Sequence, residues 1–62
     1  SYQMEVYDRW GKLVFVSNNL NRGWDGTYQG QDLPPGSYAF VIRYTPEGRD
    51  ARVEKGVVAL LR

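Results

Sequence analysis

The side chains that could do chemistry in this chain are almost all carboxylates and aromatic rings. There are four aspartates, Asp8, Asp25, Asp32 and Asp50, and three glutamates, Glu5, Glu47 and Glu54. Histidine and cysteine are absent. Their absence removes the commonest general base, the commonest metal ligand and every thiolate. No Ser-His-Asp or Cys-His set can be assembled. A metal site would have to be all-oxygen, drawn from the seven acids. Two carboxylates could serve as a glycosidase pair. A chain of 62 residues, however, has little room for a cleft of ~300 Å³ or more. The glycines do not precede a helical pattern, so neither a phosphate loop nor a dinucleotide fingerprint is present. The chain therefore reads as non-enzymatic, with no metal, cofactor or small-molecule substrate expected.

The rings offer a second kind of chemistry. Trp10, Trp24 and Tyr28 could stack on sugars or nucleic acid bases. Against this, a very small domain needs its large side chains for its own core. Eight basic and seven acidic residues give a net charge of +1. The charges are scattered, so no nucleic-acid stripe or polybasic membrane anchor is indicated. The longest apolar run, residues 57–61, is far too short to span a bilayer. No signal peptide is visible at the N-terminus, so any route across membranes would have to start in an upstream segment of a longer chain.

These residues must be positioned by strands and turns, because no helical period appears anywhere. Residues 23–38 organise the chain. They hold four of the seven glycines, two of the three prolines and one of the two tryptophans. Gly and Pro interrupt the stretch too often for a helix. It reads as tight turns that set Trp24, Tyr28, Leu33 and Tyr38 against a core. Around Trp24, Asp25 and Gly26 the pattern predicts a turn in which the Asp25 carboxylate accepts backbone N–H groups. A catalytic or calcium-binding role for Asp25 is the weaker reading, since no second acid lies close in sequence. Residues 28–31 read as a second tight turn containing Gly30. Pro34, Pro35 and Gly36 preset an extended segment and a turn into the next strand. Trp24 is expected to be largely buried, anchoring the connector on the sheet.

Elsewhere the strands announce themselves by alternation. Tyr2, Met4 and Val6 fall on one face of a half-buried strand. Residues 8–12 read as a hairpin tip closed by Gly11 in a positive-φ conformation. Trp10 on that tip has two readings, packing over the sheet edge or an exposed partner-binding aromatic. Residues 13–16, Leu-Val-Phe-Val, are apolar on both faces, which predicts an inner strand of a sandwich covered on both sides, or a strand with one face partly used elsewhere. Tyr38, Phe40, Ile42 and Tyr44 share a face of the strongest strand. After a hairpin loop over residues 45–50 the last strand returns, with a phase change that predicts a bulge at Gly56. Short strands between Gly and Pro turns point to a small all-β, immunoglobulin-like β-sandwich, with residues 1–62 as a single domain.

Four motifs then occur in order. They are Tyr7-Asp8-Arg9-Trp10-Gly11-Lys12-Leu13-Val14-Phe15; Gly23-Trp24-Asp25-Gly26-Thr27-Tyr28; Gly30 with Leu33-Pro34, Gly36 and Tyr38; and Lys55-Gly56-Val57-Val58-Ala59-Leu60-Leu61-Arg62. Together they resemble the gliding-motility-associated C-terminal domain, the type B sorting domain of cargo exported by the type IX secretion system. The likeness covers nearly the whole chain. It implies a non-catalytic sorting signal at the C-terminus of a larger carrier protein. It also implies recognition by the outer-membrane type IX machinery, with export through the periplasm to the surface of a Gram-negative bacterium or to the medium. Such domains usually begin with an Asn-Gly-Asp-Gly type segment and further strands. Ser1 stands after such a segment, so a sandwich lacking an N-terminal edge strand is expected. The groups proposed to meet the partner are Arg9 and Trp10 at the tip, Lys55, and Arg62. Two other classes remain as alternatives: a structural module of the flagellar hook-capping type, and a small carbohydrate-binding module using Trp10 and Trp24.

Overall fold

The computed structural model of the chain describes residues 1–61. Its strands are β1 (Tyr2–Tyr7), β2 (Leu13–Ser17), β3 (Thr27–Tyr28), β4 (Gln31–Asp32), β5 (Gly36–Tyr44) and β6 (Arg52–Leu60). Four of them form one antiparallel sheet in the order β2-β1-β5-β6, and β3 and β4 form a second, two-stranded one. No helix occurs among the described residues. The fold is all-β, a small sandwich with one broad layer and one narrow layer.

Alternation in β1 and β5 builds the inner face. Tyr2, Met4 and Val6 pair with Tyr44, Ile42 and Phe40. Antiparallel partners share a face, so these six residues make one apolar surface. Val6 is fully buried, and Val14 and Tyr38 are nearly so. Met4, Phe15, Trp24, Tyr28, Leu33, Phe40, Val58 and Leu60 pack around them. The narrow layer covers only the part of this face near Tyr38. At the other end Tyr2, Ile42 and Tyr44 line an open groove with Leu20.

Two sequence expectations need correction. The strand at residues 13–16 is not an inner strand covered on both sides. It is β2, an edge strand, and its Leu13 and Val16 are exposed. Its continuous apolar run has a different cause. The register between β1 and β2 shifts between Val6 and Tyr7, so that Val6 faces Phe15 while Tyr7 faces Leu13. The skipped residue, Val14, enters the core beside its neighbour Phe15. A bulge thus lets two consecutive residues serve one face.

The second correction concerns Gly56. No bulge exists there; β6 keeps one register with β5 from Leu60 to Arg52. Gly56 lies directly across from Phe40. A Cβ at this position would come within 2.6 Å of Phe40 Cζ and 2.7 Å of Cε2. The glycine is there because the phenyl ring occupies the space a side chain would need.

The outer face is mixed. Arg43 and Glu5 form an ion pair there. Val53, Lys55, Val57 and Ala59 alternate along β6 and are all exposed.

Candidate recognition surface

The connector over residues 23–38 forms as its turn chemistry requires. Asp25 Oδ1 accepts from Thr27 N at 3.1 Å and from Thr27 Oγ1 at 2.7 Å. The hydroxyl and amide of Thr27 together hold the Asp25 carboxyl below the usual carboxylate range. Asp25 Oδ1 thus takes two bonds within its own turn, and no group of three acids gathers among the described residues. Gln29 and Gly30 both have positive φ, 53° and 80°, and close the β3–β4 hairpin as a two-residue turn. Gly26 is buried under the connector, with its carbonyl accepting from Leu33 N at 3.0 Å. Gly23 has open space around it.

Trp24 is partly buried rather than enclosed. It meets Tyr38 edge-on, with ring centroids 5.0 Å apart, and its Nε1 donates to Thr27 O at 3.1 Å. Tyr38, the more buried ring, donates its hydroxyl to Pro34 O at 2.6 Å. These two rings lock the connector onto the sheet.

Trp10 takes the exposed option. It sits on the β1–β2 tip and is 79% exposed. The tip is rigid by local hydrogen bonding. Asp8 Oδ1 accepts from Trp10 N and Lys12 N, both at 2.8 Å, and Gly11 N donates to Asp8 O at 3.0 Å. Gly11 has φ +83°, the left-handed backbone predicted for the end of this turn. The Arg9 guanidinium lies 4.8 Å from the Trp10 ring centroid. A stacked Arg–Trp pair is thus presented to solvent on a capped turn. Below it a cleft of about 200 Å³ runs between Asp8, Arg9 and Trp10 on one side and Leu33 to Tyr38 on the other.

The sheet order decides which candidate residues come together. The molecule is elongated, 40 × 19 × 18 Å, so its ends are separate surfaces. Gly36, at the start of β5 and in the cleft, pairs with Leu60 at the end of β6. The tip and the end of the last strand therefore share one end of the molecule. Lys55 does not join them. It faces Val41 in mid-strand, roughly 17 Å along the strand from Leu60. Arg62 lies outside the described residues. Pairing of β1 with β5, which the composition of neither strand encodes, is what creates this convergence.

Comparison with protein families supplies the remaining observation: the model of the CHU_C type IX secretion signal domain matches residues 1–60. The chain belongs to the type IX secretion signal domain family. No curated protein and no solved structure matches it. Membership makes the chain a sorting signal that engages the type IX secretion machinery of a bacterium and marks protein for export to the cell surface or medium. The four motifs that carried the sequence resemblance lie within the matched residues, except Leu61 and Arg62.

Proposed function

We propose that residues 1–62 form the single C-terminal sorting domain of a larger carrier protein. The type IX translocon in the outer membrane of a Gram-negative cell reads it after the carrier reaches the periplasm. Arg9 and Trp10 are the principal contact, and residues 55–62 are a second one. The carrying observation is the exposed Arg9–Trp10 stack on a hydrogen-bonded turn. Arg and Trp are the residue types that dominate binding hot spots. Preorganisation by Asp8 lowers the ordering entropy that binding would otherwise cost.

The test is a reporter fused ahead of Ser1 behind a periplasmic export signal in a type IX-competent bacterium. The unmodified chain carries the reporter to the surface or medium. Arg9→Ala lowers export by about tenfold, as loss of a hot-spot residue does, while the melting temperature stays put. Export unchanged by Arg9→Ala and by Trp10→Ala would show that the tip is not what the machinery reads.

A further inference from the structure

The two open edges of the broad sheet are built differently. β2 has five residues, and its pairing register slips. Short length and bulges are two ways in which a protein blunts an edge, and charged side chains, lysine above all, are a third, of which the outer face of β6 carries one, Lys55. β6 has nine residues, contains no proline, and keeps an unbroken register with β5. Its far edge has no strand beside it among the described residues. Every second backbone N–H and C=O along it points away from β5, as in any antiparallel strand. That is a long, regular template for another strand.

The side chains bordering this template are selective. On the outer face the row reads Val53, Lys55, Val57, Ala59. Val53 and Val57 are 54% and 70% exposed. Lys55 makes no ion pair among the described residues, whereas Arg43, one strand inward, is already neutralised by Glu5. On the inner face Glu54 is occupied by the Tyr44 hydroxyl, which donates to it at 2.7 Å. On the outer face the middle of the edge therefore presents a lysine between two exposed valines, with the Glu54 carboxylate on the opposite face.

We infer that β6 is a strand-addition site: an extended segment of the type IX machinery pairs along Arg52–Leu60 by main-chain hydrogen bonds, with an acidic side chain opposite Lys55 and apolar ones opposite Val53 and Val57. Main-chain pairing supplies the attachment, and the alternating pockets supply the choice of sequence. Charges set directly across from each other in such pairs reward opposite signs. This rests on the reading of the chain as a sorting signal. It adds the mode of contact and the chemistry of the partner segment.

The reporter fusion separates the two claims. The arms are the unmodified chain, the double variant Val53→Lys/Val57→Lys, Val16→Lys on the other edge, and Lys55→Glu with Lys55→Arg. All four positions are exposed, so melting temperatures should stay within about 4 °C of the parent. The double lysine edge should cut export by roughly tenfold or more, since edge lysines repel strand pairing. Val16→Lys should export normally. Lys55→Glu should fail where Lys55→Arg succeeds. Normal export of the double variant overturns strand addition while leaving the sorting reading intact. No export of the unmodified chain overturns both. Equal loss in Val16→Lys would mean that any charge on the outer face is harmful, and would also overturn the edge assignment. Sedimentation of the unmodified chain tests a second copy as the occupant. A dimer that the double lysine variant dissolves would assign the edge to a second copy of the chain and overturn the inference.

Discussion

Replacing Gly56 with alanine tests whether a ring, not a bulge, explains the glycine. The added Cβ would lie 2.6 and 2.7 Å from two Phe40 ring carbons, where ordinary contact begins at 3.4 Å. The ring must therefore withdraw by nearly an ångström. Phe40 is partly buried and packed against the Val6–Val14–Tyr38 core, so it cannot swing freely. Overpacking of this kind costs about 1 to 3 kcal/mol. Removing a glycine from a strand returns about 0.5 to 1 kcal/mol. The net loss is then about 0 to 2.5 kcal/mol, centred near 1 kcal/mol. For 62 residues the whole stability is about 3 to 9 kcal/mol. The unfolding entropy at this length is about 130 cal/mol/K, so each 1 kcal/mol moves the melting temperature by about 8 °C. Gly56→Ala should thus melt roughly 10 °C below the parent. Thermal unfolding followed by circular dichroism measures it. Gly23→Ala is the control, because that position has open space and no left-handed φ; it should change stability by less than about 0.5 kcal/mol. A double-mutant cycle with Phe40→Leu isolates the clash and should show coupling of at least about 0.5 kcal/mol. Additive effects, or a Gly56→Ala chain as stable as the parent, would refute the steric account.

Trp24→Ala removes the edge contact to Tyr38 and the bond to Thr27 O. Core Trp→Ala changes cost about 3 to 5 kcal/mol, and partial exposure places this one near the low end. That is still comparable to the full stability of so short a chain, so the variant should be largely unfolded at 37 °C by circular dichroism; an unchanged melt would remove Trp24 as the anchor. Alkaline pH provides a second check. The hydrogen bond to Glu54 raises the Tyr44 hydroxyl above its ordinary value. A raised folded pKa favours the protonated form in the native state, so its contribution is fully present below about pH 10. It is lost as pH rises through the folded value. Denaturant melts from pH 7 to 11 should show the advantage of the parent over Tyr44→Phe shrinking only above about pH 10. A constant difference across that range would mean that the hydroxyl contributes nothing through its proton.

The sequence by itself determined whatever depends on a residue and its near neighbours. Alternation from Tyr2 to Val6 and from Tyr38 to Tyr44 marked the inner face, because side chains in a strand alternate whatever lies across from them. Asp25 and Thr27, Gln29 and Gly30, and Asp8 with Gly11 specified their turns through bonds spanning two to four residues. The four ordered motifs carried the family. Tertiary structure decided what depends on the other side of a contact. Leu13 to Val16 looked covered on both faces, because one strand's composition cannot distinguish a covered face from a bulge that turns two neighbours inward. Gly56 looked like a bulge of its own, because the ring that requires it lies 16 positions away in sequence, on Phe40. Trp10 had two readings until the capped tip turned it outward. The meeting of that tip with the end of β6, and the long open edge of β6, follow from the order β2-β1-β5-β6. Strand order is set by the packing of whole faces against one another, so local pattern does not specify it.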